Sequence, residues 1–172
     1  MSLLSRLFRS RSDPREALRP LWHRTVEISR EPHWYAQCGV EDSVAGRFDM
    51  ITATLAIVLI RMEREEELIA SSVWLTELFV EDMDGQLRES GVGDMVVGKH
   101  IGRLMAVLGG RLGAYREGLA EQGDSQLAEA ITRNVSLVDN TGPEKLAAAL
   151  RRLEADCAAM PGTALLEGRI ER

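Results

Sequence analysis

The 172-residue sequence predicts an all-α fold: a single compact helical domain of six or seven helices with mobile termini. Three observations carry this expectation. Apolar residues recur at helical spacing along most of the chain. Helix start and stop residues (Asp13-Pro14, Ser90-Gly91, Thr141-Gly142-Pro143, Pro161-Gly162) fall between the periodic stretches. The one stretch rich enough in β-branched residues to read as a strand, within 48–62, has no matching strand elsewhere. Hydrophobic residues make up 45% and aromatics only 5%, so the core is built mainly of Leu, Ile, Val, Met and Ala.

Taken in order, residues 1–12 form a flexible or amphipathic basic segment. Wound as a helix they place Leu3, Leu4, Leu7 and Phe8 in one arc, with Arg6 and Arg9 opposite. That pattern suits contact with an anionic membrane surface; the alternative is a frayed end whose apolar residues carry no role. The helical domain spans 13–160. Asp13 can cap a first helix, with Pro14 at its first position and Glu16 closing a capping box, and Ala17, Leu18, Leu21, Trp22 and Val26 follow at helical spacing. Glu31-Pro32 ends that helix or starts the next, and 33–36 forms a short turn or helix stopped by Gly39. Met50 to Ile60 is free of charge for eleven residues, too short for the roughly 20 that a membrane span needs, so it reads as a central helix buried on nearly all sides.

Leu68, Val73 or Trp74, Leu75, Leu78, Phe79, Met83 and Leu87 then mark the buried side of a long amphipathic helix. Gly91 and Asp94 provide the cap that ends it and the cap that starts the next. Residues 95–121 carry glycines at 98, 102, 109, 110, 113 and 118. Each costs about 1 kcal/mol relative to Ala inside a helix, which predicts close helix packing along the Gly98/Gly102 and Gly109/Gly113 faces, or a kink at Gly109-Gly110. Asp124 starts a further helix to about Leu137. Thr141 to Glu144 forms a second capping box with Pro143 just inside, and the last helix runs to Met160, leaving 161–172 as a mobile tail.

Charge and composition narrow the function. The formal net charge of −6 argues against a general nucleic-acid binder. The first 30 residues hold seven Arg against Asp13, Glu16 and Glu27, so a basic start precedes an acidic body. Cys38 and Cys157 are far apart and match no metal or redox spacing, which fits a reducing cytoplasm, and no signal peptide is evident.

No motif supports catalysis. Gly93 to Lys99 matches the GxxxxGK of a phosphate loop, but His100 stands where Mg²⁺ binding needs Ser or Thr, and a helix rather than a strand precedes it. Glu77, Glu81 and Asp84 share a helix face with Asp82 beside them, yet the Glu-x-x-His partner of a helical metal site is missing, so a solvated or partner-binding acidic face is the better reading. His23, His33 and His100 lie on separate elements, and GxSxG is absent. No cofactor and no enzymatic activity are expected. Lys99 and Arg103, at i and i+4, make a small basic patch.

Two segments together resemble the ubiquinol–cytochrome c chaperone family. One is Gly46-Arg47-Phe48-Asp49-Met50-Ile51, preceded by Trp34-Tyr35 and Gly39-Val40. The other runs from Phe79-Val80-Glu81-Asp82-Met83-Asp84 through Leu87-Arg88-Glu89 to Gly91-Val92-Gly93-Asp94 and Val97-Gly98-Lys99, and the likeness extends to Arg111-Leu112, Tyr115 and 130–134. The resemblance implies a helical assembly factor, of bacterial type, that binds newly made cytochrome b on its way into the quinol–cytochrome c oxidoreductase (bc1) complex. It would work in the cytoplasm or peripherally on the cytoplasmic face of the inner membrane. The motif positions are Arg47, Phe48, Asp49, Asp82, Asp84, Arg88, Gly91, Gly93, Asp94 and Lys99. With Glu81 and Arg103 added from the acidic face and the basic patch, the candidate partner-binding residues are Arg47, Asp49, Glu81, Asp82, Asp84, Arg88, Asp94, Lys99 and Arg103. Two other readings stay open on the residues: a generic helical adaptor or homodimer, and a metal- or haem-binding protein.

Overall fold

The computed structural model describes residues 13–89 and 94–172. A 3-10 turn (Pro14–Leu18) leads into α1 (Arg19–Ser29) and the single-turn α2 (Pro32–Ala36). The central helix α3 (Val44–Met62) follows. A second 3-10 turn (Glu66–Leu68) enters α4 (Ile69–Glu89), and then come α5 (Asp94–Ala120), α6 (Ser125–Asn134), α7 (Glu144–Ala158) and the single-turn α8 (Gly162–Leu166). Among the described residues the sole β pairing is an isolated bridge between Val40 and Leu137. The all-α expectation holds.

The chain is organised around α3. Ser43 caps it, its hydroxyl accepting from the Gly46 amide at 3.1 Å, and every residue from Asp49 to Met62 is buried. α1, α5 and α7 pack around it, with α4 touching one side. Each large aliphatic side chain so enclosed contributes about 1.5–3 kcal/mol, so this one helix supplies much of the driving force for the fold. Gly46 is required at its first turn, because a Cβ there would fall 1.9 Å from the Glu41 carbonyl oxygen. α1 adds Leu21, Trp22 and Ile28 to the core. Trp22 meets Phe79 of α4 edge-on, with ring centroids 6.0 Å apart.

Two arginines tie off helix ends. Arg61, the one cation on the buried stretch of α3, donates to the carbonyls of Cys157 (3.0 Å) and Met160 (2.8 Å), satisfying the C-terminus of α7. Arg151 donates to the carbonyls of Gly118 (3.1 Å) and Leu119 (3.2 Å) at the end of α5. Arg151 also pairs with Asp124 at 2.8 Å.

Several local expectations are corrected. Asp13 accepts from the Arg15 amide at 3.0 Å, as a cap should. The first turn is nevertheless 3-10, and the α-helix begins only at Arg19, because Pro20 has no amide to bond the Glu16 carbonyl. Asp124 does start α6, at its N-cap position with its carboxylate on Arg151, but the helix ends at Asn134 and not near Leu137. α7 begins at Glu144 with Pro143 in the cap position and no side-chain cap bond, so the second capping box is not formed. The glycines at 102, 109, 110 and 113 face open space and do not mediate close packing. Among the described glycines of α5, Gly118 alone does so: a Cβ there would lie 2.7 Å from the Leu127 Cα, and this is where α5 turns back against α6. The segment 161–172, expected as a mobile tail, is packed onto the body. Leu165 and Ile170 are buried, the Ile170 carbonyl accepts from Arg24 at 2.9 and 3.1 Å, and Arg172 sits 4.8 Å over the Trp34 ring while pairing with Glu31 at 2.7 Å. The apolar pair Leu165/Ile170 was too short a pattern to show this in sequence. The expectations for residues 1–12 lie outside the described residues, as do those for Gly91 and Gly93.

Candidate partner-binding surfaces

α3 and α5 each carry a stripe with the spacing i, i+3, i+4, i+7, which keeps four residues on one helix face. On α3 it is Val44, Arg47, Phe48 and Ile51. On α5 it is His100, Arg103, Leu104 and Val107. The fold brings the two stripes together with Met83 and Gln86 of α4 to form a groove of about 940 Å³. Its floor is apolar (Phe48, Ile51, Met83, Leu104, Val107), and its rim is basic (Arg30, Arg47, His100, Arg103), with no carboxylate among the described lining residues. Val44 at its edge is 89% exposed. An apolar floor with a charged rim is the form taken by sites that seat an amphipathic helix. Arg47 pairs with Asp42 at 2.8 Å, a hydrogen bond that holds the Asp42 carboxyl below its usual range and leaves the guanidinium at the rim.

One wall of the groove is braced from behind. Asp49, expected as an exposed binding charge, is 7% exposed and wholly committed inside the protein. One carboxylate oxygen accepts from Arg111 of α5 at 2.5 Å. The other accepts from the Ser136 amide (2.9 Å) and hydroxyl (2.8 Å). Arg111 also donates to Thr52 of α3, and its guanidinium lies 5.7 Å from the centre of the Phe48 ring, within cation–π range. The bridge between Val40 and Leu137 brings Ser136 to this point, with the Glu41 amide donating to the Ser136 carbonyl at 2.9 Å. Asp49 therefore locks α3 to α5 and to the segment after α6. Through Arg111 it positions Phe48 on the groove floor. Beside this cluster Tyr115 is fully buried, and burial pushes its phenol pKa up.

The acidic face forms a second surface on the other side of α4. Val73, Val80, Ile101 and Met105 floor a groove of about 540 Å³, and Glu77, Glu81 and Asp84 form its lip together with Arg15. Val73 is 54% and Met105 40% exposed. Arg15 reaches Glu81 at 3.4 Å and pairs with Asp13, whose carboxyl it lowers to about 2 by hydrogen bonding. Asp84 pairs with Arg88 at 2.8 Å. Its other oxygen, Oδ1, is buried without a hydrogen-bond partner. Asp82 faces a third hollow, with Arg19, His23 and Gln86.

The nine candidate residues thus do not form one site. Arg47 and Arg103 meet at the basic groove, Glu81 and Asp84 line the acidic one, Asp82 turns to the hollow beside it, and Asp49 is internal. Arg88 and Lys99 are exposed on α4 and α5. Asp94 is the first residue of α5, and its side chain lies outside what is described. The phosphate-loop pattern ends inside α5, with Lys99 on its exposed side and His100 on the groove rim. Sequence reasoning missed Val44, His100, Leu104 and Val107 as site residues. Their stripe spacing was legible, but nothing in it said that the two stripes would face each other.

Residues 36–172 match the family described as Ubiquinol-cytochrome C chaperone. The whole structure is similar to the crystal structure of the Cbp3 homolog from Brucella abortus, with a TM-score of 0.80 and 30% sequence identity, covering 98% of this chain and 96% of that one. No protein of curated function matches the sequence significantly.

Proposed function

The chain belongs to the ubiquinol-cytochrome C chaperone family, and from that premise we propose that it binds newly made cytochrome b and assists its maturation into the bc1 complex, acting by binding and not by catalysis. The observation that carries this reading is the groove between α3, α4 and α5, with its apolar floor and its rim of Arg30, Arg47, His100 and Arg103. A cytochrome b helix not yet packed against its neighbours exposes an apolar face that must be covered, and the floor offers one. The arginines of the rim suit the carbonyl end of such a helix, where the backbone dipole is negative. Loops on the cytoplasmic side of membrane proteins are rich in Lys and Arg. The carboxylates on the far side of α4, Glu81 and Asp82, are placed to receive them.

None of the described helices is long and apolar enough to cross a membrane. We place the protein on the cytoplasmic face of the inner membrane, held reversibly at anionic lipid by Leu3, Leu4, Leu7 and Phe8 with the neighbouring arginines. A single weak amphipathic segment gives reversible attachment, which suits a factor that must release its client.

The test is a photo-crosslinking residue at Leu104, with the adduct identified from solubilised membranes. A cytochrome b adduct that is lost on R47E/R103E is the expected result. An adduct only to other proteins, or bc1 content that stays normal when the gene is deleted, refutes the proposal.

A further inference from the structure

The acidic groove is unoccupied by any described part of the chain, yet its floor exposes Val73 and Met105 to water. We propose that its occupant is the protein's own N-terminal segment, residues 1–12, docked with Leu3, Leu4, Leu7 and Phe8 on the apolar floor.

Two observations converge on this occupant. The first is where the described chain begins. Arg15 is itself a lining residue of the groove and bonds Glu81 on its lip, so the segment preceding Asp13 starts at the mouth of the groove. A short tether of this kind gives an effective concentration in the millimolar range, so even a weak contact is populated. The second is charge. Residues 1–12 contain Arg6, Arg9 and Arg11 and no carboxylate, whereas the lip carries the three carboxylates Glu77, Glu81 and Asp84 against two cations, Arg15 on Glu81 and Arg88 on Asp84.

This proposal shares its residues with the membrane-contact reading above and rests on the same amphipathic arc, because one apolar face cannot lie in the groove and in lipid at once. Docking would store the anchor when no membrane is present. Its test uses no lipid, so its failure leaves membrane binding to be judged separately.

The experiment places a nitroxide on Ser5→Cys in the full chain. Cys38 and Cys157 are both buried, so the introduced thiol takes the label. The readout is the methyl NMR signals of Ile101 and Met105, with exposed Val138 outside the groove as reference. The expected result is loss of the Ile101 and Met105 signals with Val138 retained, and their recovery in the E77K/E81K variant, whose two sites are exposed and whose helicity is checked by circular dichroism. Persistence of both signals in the labelled protein overturns the proposal. So does signal loss that E77K/E81K does not relieve. So does loss that appears when spin-labelled and isotope-labelled molecules are mixed, which would make the occupant a second copy.

Discussion

Removing either partner of the Asp49–Arg111 pair should destabilise the protein more than any surface charge change. Both side chains are 9% exposed, and they meet at 2.5 Å. In R111M the Asp49 carboxylate keeps its two bonds from Ser136 but loses its counter-charge in a dry site. In D49N the guanidinium is left in the same condition, with Thr52 as its remaining side-chain acceptor. Breaking a buried pair from one side costs roughly 3–5 kcal/mol, a large share of the 5–15 kcal/mol that a domain has in total. For a chain of this size that corresponds to a fall in Tm of about 6–20 °C. In the D49N/R111M double variant no charge is stranded, and the carboxamide introduced at position 49 can still accept from Ser136, so its loss should be well below the sum of the two single losses. Urea denaturation followed by far-UV circular dichroism measures all four corners of the cycle. Single losses under about 1 kcal/mol, or losses that simply add in the double variant, would refute the claim that this pair locks α3 to α5.

Three further outcomes are expected. Gly110→Ala should raise stability by about 0.5–1 kcal/mol, because its Cβ enters open space in a helix interior. Gly118→Ala should lower stability, because its Cβ would fall 2.9 Å from the Leu127 amide nitrogen and backbone has to move; denaturation midpoints compare the two. His33 has a pKa held below 6.5, chiefly by burial and then by Arg172. The folded state therefore takes up a proton less readily than the unfolded chain, and the stability this confers is present above about pH 6.5 and lost as pH falls below it. The drop in urea midpoint between about pH 7.5 and 5.5 should shrink in H33Q, and an unchanged drop would show that His33 is not its source.

Asp49 shows where reading the sequence stops. As a motif residue near the start of an apolar helix it was expected on the surface, because a carboxylate is rarely buried unless paired. Its partners lie 62 and 87 residues further on, and no local pattern joins them. Gly118 and its neighbours make the same point. A glycine spaced for close packing looks the same as one facing water until the opposite helix is placed, and here α6 crosses at only one of the described glycines. The two short apolar signals of the tail, Leu165 and Ile170, are core residues in the folded chain, where Arg24 of α1 also donates to the Ile170 carbonyl.

The all-α class, the buried central helix, the amphipathic long helices and the family to which the chain belongs were all legible in the order of the amino acids. These rest on periodicity, capping residues and motifs that are local or ordered along the chain. Which faces pair was settled by the packing of the whole core. It set Val44, Arg47, Phe48 and Ile51 opposite His100, Arg103, Leu104 and Val107 as a basic-rimmed groove, sent the acidic residues to a separate groove across α4, and took Asp49 inside. The physical reason is that a helix stripe specifies that a face will be covered, whereas the identity of what covers it depends on crossing positions set by the whole core at once.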